Sequence, residues 1–309
     1  MGSRKLKAWL EDQDATPELP ASSTIGDILH RAGLVKPRRV RRKLPLPVGP
    51  YTQQVSQPNE EWAADFKGQF RMGCGEYCYP LTISDGFSRY LLEIRALRDT
   101  GTGGARGGFE RAFLTYGLPQ AIRTDNGSPF ATTALGRLSS LSIWWLKLGI
   151  RPVTIRPSHP QDNGRHERMH RTLKAETTRP PAGDLAPQQK RFVSFRREYN
   201  QERPHEALDQ KPPARIYRPS IRPYPVRIPP VEYPSHYEVR QVTTAGNFTW
   251  HDQQVFISRS LVGERIGLIE VDDGLWKVYF AGLELGVMDE AHLRECKTGR
   301  VLPMSPNGV

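Results

Sequence analysis

An acidic residue in the middle of an apolar run places the strongest constraint on this chain. The run Glu61-Trp62-Ala63-Ala64-Asp65-Phe66 is typical of a buried strand. Burying a carboxylate there costs several kcal/mol unless something pairs with it. A second acid, Asp125, ends the apolar run of residues 121–123, directly before an Asn-Gly turn. If these strands are neighbours, the two carboxylates would need a partner of opposite charge.

A third segment, His159–Lys174, is predicted to be a loop that opens into a helix. Asn163 is a suitable N-cap for that helix. Met169 and Leu173 are four positions apart, so they fall on one apolar side. We therefore expect this side of the helix to pack against the sheet.

The other side of the same helix carries one acid and two bases, Glu167, Arg171 and Lys174, at i, i+4 and i+7. One interpretation is a solvated face with an ordinary ion pair. The other is that Glu167 joins Asp65 and Asp125 in one pocket. Two carboxylates about 4 Å apart repel by ~4 kcal/mol at an effective dielectric near 20. Three would call for a divalent cation, and all-oxygen ligands favour Mg²⁺ or Mn²⁺, commonly as a pair in phosphodiester chemistry.

Five motifs carry a resemblance to the integrase-core transposases of bacterial insertion sequences, a family similar to retroviral integrases. In chain order they are WAADFKGQF, SDGFSRYLL, TYGLPQAIRTDNGSPF, HPQDNGRHERMHRTLKAE and YNQERPHEAL. The resemblance implies an α/β fold with a ribonuclease-H-like catalytic core, a mixed five-stranded sheet with helices. It also implies that Asp65, Asp125 and Glu167 form the family's catalytic, metal-binding Asp-Asp-Glu triad, with Mg²⁺ or Mn²⁺, two ions, as cofactor.

The charge balance fits a polyanionic partner. The chain has 44 Lys and Arg against 33 Asp and Glu, a formal net charge of +11. Six bases lie within eight positions, and we predict that they contact DNA phosphates, although a solvated linker is the alternative. They are Lys36, Arg38, Arg39, Arg41, Arg42 and Lys43. Arg171 and Lys174 are predicted to hold phosphates as well.

The patterns along the chain predict several domains. Residues 1–35 are expected to form a partial helix-turn-helix, which the resemblance suggests is incomplete at its amino end. A basic linker of residues 36–54 precedes the catalytic core of residues 55–217. A Pro-rich linker (residues 218–235) leads to a small SH3-like β-barrel of five strands (residues 236–290). Residues 291–309 are expected to be a tail that is disordered from residue 297.

Two features depart from the family pattern. Residues 100–108 are rich in glycine where a helix should begin, but they lack an intact phosphate-binding motif, so nucleotide binding is disfavoured. The separation of Asp125 and Glu167, 42 positions, is long, and we place the excess near Leu138–Trp145 as a loop insertion. Cys74 and Cys78 have no second Cys or His pair with zinc-like spacing.

These observations predict a Mg²⁺-dependent DNA transposase or integrase that acts on transposon ends and target DNA as a homo-oligomer. Without a membrane span or signal peptide, it is expected in the bacterial cytoplasm, near the nucleoid. One alternative is a metal-dependent nuclease of the same fold that hydrolyses but does not join DNA. Another is a truncated, catalytically silent copy that only binds DNA.

Overall fold

A computed structural model of the chain describes residues 2–13, 19–35, 55–132, 135–155, 164–295 and 299–301. The chain divides into two compact units. The first comprises Met1–Arg98 and Gln161–Ser220, and the second comprises Asp99–Pro160 and Ile221–Val309. Each unit is therefore built from two separate stretches of sequence.

The described part of the first unit contains four antiparallel strands, β1 (Glu61–Phe66), β2 (Phe70–Arg71), β3 (Tyr77–Asp85) and β4 (Leu91–Leu97). β3 pairs with all three of the others. The register of β1 and β3 sets Asp65 opposite Thr82. Asp85-Gly86 predicts a turn after β3. The turn is present, and the buried Asp85 carboxylate accepts hydrogen bonds from the backbone N–H (2.7 Å) and the hydroxyl (2.6 Å) of Ser88.

Five α-helices among the described residues accompany these strands: α1 (Ser3–Asp12), α2 (Ser22–Arg31), α5 (Gly164–Thr177), α6 (Leu185–Gln201) and α7 (Pro213–Ile216). α5 and α6 bury one side each in a core with the sheet, through Met169, Leu173 and Phe192 against Cys78 and Leu91. The apolar side predicted for α5 is thus confirmed. α1 and α2 are the two helices expected before residue 35, while their use as a DNA-reading motif stays a prediction.

The second unit begins with α3 (Thr102–Tyr116), β5 (Ala121–Thr124), α4 (Ser140–Lys147) and β6 (Arg151–Thr154). β5 and β6 pair in parallel. Together with the antiparallel strands of the first unit, they confirm the predicted mixed α/β class, although the described part of residues 55–217 has six strands rather than the five expected. The glycine-rich stretch is the first half of α3, which gains its buried side from Ala105, Phe109 and Phe113.

The expected loop insertion near residues 138–145 is wrong, because most of that stretch is α4. Ser139 caps the helix in a capping box with Ser142. Trp144 and Trp145 are both buried, and Trp145 meets Phe109 edge-to-face with ring centroids 4.9 Å apart. The run Ser-Leu-Ser-Ile-Trp-Trp-Leu is apolar almost all round, which is typical of a buried helix rather than a surface loop.

The rest of the second unit is mainly β-structure: β7 (Glu238–Gln241), β8 (Asn247–Trp250), β9 (Gln253–Phe256), β10 (Arg265–Asp272), β11 (Leu275–Phe280), β12 (Leu283–Asp289), α8 (Glu290–Glu295) and β13 (Gly299–Arg300). One sheet has the order β12-β11-β10-β7, and a second has the order β13-β9-β8. The five predicted strands are confirmed as β8 to β12. Their description as an SH3-like barrel stays a prediction. The tail expected to be disordered from residue 297 is wrong at residues 299–301, because β13 pairs in parallel with β9 and Val301 is buried.

α4 and the C-terminal strands share one hydrophobic core. Leu138, Ile143 and Leu146 lie in the same buried cluster as Phe248 and Phe280. Lys147 Nζ and Glu264 Oε1, 2.7 Å apart, add an ion pair. The segment between α7 and β7 is also held here, since Arg222 donates hydrogen bonds to the carbonyls of Pro119 (2.8 Å) and Leu148 (2.8 Å).

We expect Ile143→Ala to destabilise α4 and the C-terminal strands together. Ile143 is 5% exposed. Truncating a buried isoleucine lowers the free energy of unfolding by about 2–5 kcal/mol, because transfer free energy is lost and a cavity remains. The measurement is urea unfolding followed by tryptophan fluorescence, with Val193→Ala as a control because Val193 is 49% exposed on α6. Equal losses of stability in the two variants would contradict the shared core.

Candidate active site

Strand β1 positions Asp65 in the first unit. Trp62 and Ala64 on this strand are buried, while the Asp65 side chain is 19% exposed. The predicted acid within an apolar strand is therefore present, and its carboxylate reaches the edge of the core rather than its centre. Its Oδ2 atom lies 3.8 Å from Nδ1 of His170.

Helix α5 presents two different sides. His166, Met169, His170 and Leu173 are buried, and their spacing places them on one side of the helix. Glu167, Arg171 and Lys174 are exposed, as predicted, and Glu167 lies in the first helical turn. The acid and the two bases therefore share the surface of α5 that is turned away from the core.

The Thr82 hydroxyl joins β1, β3 and α5 through a buried polar cluster. Its Oγ1 atom lies 3.0 Å from the carbonyl oxygen of Asp65, 2.9 Å from Nε2 of His166 and 2.7 Å from Nε2 of His170. The two imidazole rings meet edge-to-face with centroids 4.9 Å apart. Buried polar groups are normally satisfied in this way, and here the partners come from three different elements.

Both histidines are neutral at physiological pH. Burial lowers the pKa of His166 to about 4. Burial, with the nearby His166 and Lys67, lowers the pKa of His170 to about 2. The contact between His170 and Asp65 is therefore not an ion pair at neutral pH.

Lys67 places a positive charge near the same carboxylate. Its pKa is lowered, first by burial and then by Lys174, while Asp65 opposes that shift. These interactions put Lys67 within electrostatic reach of both Asp65 and Lys174. The sequence analysis did not single it out, although it follows Asp65 by two positions.

Asp125 belongs to the second unit, immediately after β5. Its Oδ1 atom accepts a hydrogen bond of 3.1 Å from the backbone N–H of Gly127, which fits the predicted turn. The neighbouring Asn126 side chain donates to the carbonyl of Ile155, 2.8 Å away, and so fastens the turn to the chain beyond β6.

The structure brings together only part of the predicted triad within one unit, namely Asp65 and the helix that carries Glu167. Across the described residues, no group of three His, Cys, Asp or Glu side chains could hold a metal ion. The six predicted DNA contacts of residues 36–43 and the predicted N-cap Asn163 lie outside the described residues.

The donor chemistry nevertheless fits a divalent cation of the Mg²⁺ class. The three predicted ligands are carboxylates, the hard oxygen donors that such ions prefer. Glu167 is exposed, and none of the described residues forms an ion pair with it. Asp65 is accessible at the edge of the core. The exposed Glu167 therefore has room to accept a ligand.

Sequence reasoning missed three members of the cluster, Thr82, His166 and His170. The signal for the histidines was available, because they lie at i−3 and i+1 relative to Met169, on the apolar side of α5. Thr82 gave no signal, since a threonine in a strand is ordinary.

No helix among the described residues is both long and apolar enough to cross a membrane.

Comparison with protein families gives matches over most of the described chain. Residues 55–160 and residues 148–213 each match the family described as integrase core domain. Residues 237–295 match the C-terminal domain of IS481 family transposases.

Relatives come from insertion elements and from retroviruses. The chain is similar to an uncharacterized 39.2 kDa protein of insertion element IS476 from Xanthomonas euvesicatoria, with 29% identity over 220 residues, 68% of this chain and 55% of that protein. It is also similar to an uncharacterized 31.7 kDa protein of insertion element IS407 from Burkholderia multivorans, with 27% identity, 69% of this chain and 74% of that protein. The Gag-Pol polyprotein of baboon endogenous virus is 29% identical over 58% of this chain, which spans 10% of the polyprotein.

Two solved structures are among those to which the chain is similar. The HTLV-2 integrase catalytic core domain in complex with magnesium gives a TM-score of 0.42 at 17% identity, covering 52% of this chain and 98% of that one. The simian T-cell lymphotropic virus intasome in complex with PP2A regulatory subunit B56 gamma gives a TM-score of 0.45 at 19% identity, covering 90% of this chain and 93% of that one.

Proposed function

Because the chain belongs to the integrase-core family that includes transposases of bacterial insertion sequences, we propose that it is a metal-dependent DNA transposase. It would cleave a strand at a transposon end and join the freed 3′-hydroxyl to target DNA. The single observation that carries this proposal is the attachment of α5 to β1, which brings the Glu167 helix against the strand that holds Asp65.

Asp65, Asp125 and Glu167 are the residues that would hold Mg²⁺ or Mn²⁺, as two ions. When bound, such ions lower the pKa of an attacking hydroxyl and stabilise the departing oxygen of a phosphodiester. Three carboxylates would balance much of the added positive charge.

Arg171 and Lys174 would hold phosphates rather than take part in the chemistry. Both are exposed on the same side of α5 as Glu167. A DNA backbone bound along this side would therefore lie next to Glu167, the proposed metal ligand. Lys67, within electrostatic reach of Lys174, extends the same positive surface. Phosphate contacts of this kind set the position of the DNA and carry no sequence information.

Strand transfer needs no energy source. The oxygen of a 3′-hydroxyl attacks a phosphorus atom, one new phosphorus–oxygen bond forms, and the old bond to the neighbouring 3′-oxygen breaks. The departing oxygen takes up a proton. The number of phosphodiester bonds is unchanged, so we assign no serine, tyrosine or cysteine nucleophile.

The charge distribution supports DNA contacts outside the C-terminal strands. Residues 236–295 contain five Lys or Arg and ten Asp or Glu, whereas the whole chain has a net charge of +11. The positive excess therefore lies in the remaining residues, and phosphate binding is expected there. The C-terminal strands would serve DNA joining through protein contacts, as in a homo-oligomer that holds two DNA ends.

The test uses the full chain with duplex DNA copied from the ends of its own element and a circular target, in Mn²⁺. We expect a joined product longer than the donor strand, which a denaturing gel resolves. Shortened strands without any joined product would favour a nuclease. Binding without either product would favour a catalytically silent copy.

A further inference from the structure

We propose that the Thr82 hydroxyl is the positioning group of the active site: by its three hydrogen bonds it fixes the strand of Asp65 against the helix of Glu167. The inference rests on the proposed function, because it concerns the ligands assigned there. Thr82 touches neither DNA nor metal, so it would act through Asp65, His166 and His170.

The hydrogen-bond roles follow from the chemistry of the partners. The Asp65 carbonyl, 3.0 Å from Thr82 Oγ1, can only accept, so the hydroxyl gives its one proton to that oxygen. The two lone pairs of Oγ1 then accept from Nε2–H of His166 (2.9 Å) and Nε2–H of His170 (2.7 Å). One hydroxyl thereby satisfies its full hydrogen-bonding capacity, and both imidazoles are held in the Nε2–H tautomer.

This arrangement fixes the proposed ligands relative to each other. His166 and His170 lie one position before and three positions after Glu167, so together they set the rotation of the first turns of α5. The Thr82 hydroxyl holds both of them and the backbone of Asp65 at one point. The Asp65 side chain is in turn flanked by His170, whose Nδ1 lies 3.8 Å from Oδ2.

Apolar packing alone would not set this geometry. Met169 and Leu173 dock α5 onto the core of the first unit, but apolar contacts have little directional preference. Hydrogen bonds weaken steeply when they are bent. Three of them on the Thr82 hydroxyl therefore restrict the rotation of α5 as well as its distance from β1. Groups that orient metal ligands from outside typically change metal affinity or activity by about 10–100-fold when they are removed.

The first test compares Thr82→Val, which keeps the shape and loses the hydroxyl, with Thr82→Ser, which keeps the hydroxyl. We expect Thr82→Val to weaken Mn²⁺ binding and strand cleavage by about 10–100-fold, and Thr82→Ser to restore both to within a few-fold. Mn²⁺ affinity is measured by calorimetry, cleavage on end-sequence DNA, and folding by the thermal midpoint.

The matched control is Thr177→Val. Thr177 is also buried, on α5 itself, and its hydroxyl donates only to the carbonyl of Leu173, 2.8 Å away. Its loss should lower the thermal midpoint without changing Mn²⁺ affinity or cleavage. If Thr82→Val and Thr177→Val have the same profile, the Thr82 hydroxyl only stabilises the fold and the inference is overturned.

A second pair keeps the test decisive if Thr82→Val does not fold. His170→Gln can place an amide N–H near the position of Nε2, while His170→Asn is too short to do so. We expect the glutamine variant to retain more Mn²⁺ affinity than the asparagine variant. The reverse order would contradict the positioning role of the Thr82 hydroxyl.

A spectroscopic readout is independent of metal. In the metal-free protein, ¹⁵N-histidine NMR should show two imidazoles in the Nε2–H tautomer, retained in Thr82→Ser. Finding either one as the Nδ1–H tautomer would overturn the inference.

Asp65→Asn and Glu167→Gln distinguish a failure of the proposed metal site from a failure of the positioning role of Thr82. If these variants bind Mn²⁺ as well as the unchanged chain, the proposed metal site is wrong. If they lose binding while Thr82→Val keeps it, only the positioning role is wrong.

Discussion

Asp65→Asn, Asp125→Asn and Glu167→Gln should each reduce strand cleavage and joining by at least about 10³-fold. Each change removes a negative ligand from a site where metal ions stabilise charge by several kcal/mol in the transition state, and each 1.36 kcal/mol is tenfold in rate. Because the amides keep the shape of the acids, DNA affinity should remain nearly unchanged. Cleavage assays and gel shifts on the same preparations measure both quantities.

Glu202→Gln is the matched control for these variants. Glu202 is an exposed acid of the first unit, at the C-terminal end of α6, and its neutralisation should leave cleavage unchanged. Full cleavage by any one of the three triad variants would remove that residue from the site. Loss of cleavage in the Glu202 variant would point to a general effect of charge.

Replacing the six bases of residues 36–43 with glutamine should weaken binding to all DNA sequences alike. Each lost phosphate contact lowers the steepness of log K against log salt by about 0.9, so the full set could remove up to about 5. Fluorescence anisotropy over a series of salt concentrations measures this slope for end-sequence DNA and for unrelated DNA.

Arg259 and Arg265 provide the control for this series. Both are exposed within residues 236–295, where acids outnumber bases, so replacing them should leave the slope unchanged. An unchanged slope after replacing all six bases of residues 36–43 would mean that this run is a solvated linker. A loss of affinity for end-sequence DNA alone would indicate base recognition instead.

Much of the secondary structure could be predicted because local patterns were strong. Tyr77, Tyr79, Leu81 and Ile83 alternate along β3, and Asp272-Asp273-Gly274 is typical of a hairpin turn, so side-chain period and turn chemistry predict both elements. The five strands β8 to β12 were predicted to within a few residues for the same reason. α4 was missed because helical periodicity is lost when a short helix is apolar nearly all round, and its cover comes from strands more than 100 positions later in the chain.

The sequence by itself determined the candidate chemistry. Asp65 lies in an apolar run and Asp125 ends one, and such a carboxylate needs a charged partner. The resemblance to integrase-core transposases implies that Glu167 joins them as the third metal ligand. The motifs around them were also enough to indicate the family.

Only the tertiary structure decided what holds the site together. That Thr82 lies opposite Asp65 and between His166 and His170 depends on strand register and on how α5 docks. That α4 shares a core with the C-terminal strands depends on packing between distant segments. Both arrangements join segments that are far apart in the chain. Local sequence patterns predict a strand or a helix, but they do not predict which other segment it packs against. The physical reason is that register and docking are set by the sum of many weak contacts across the whole fold.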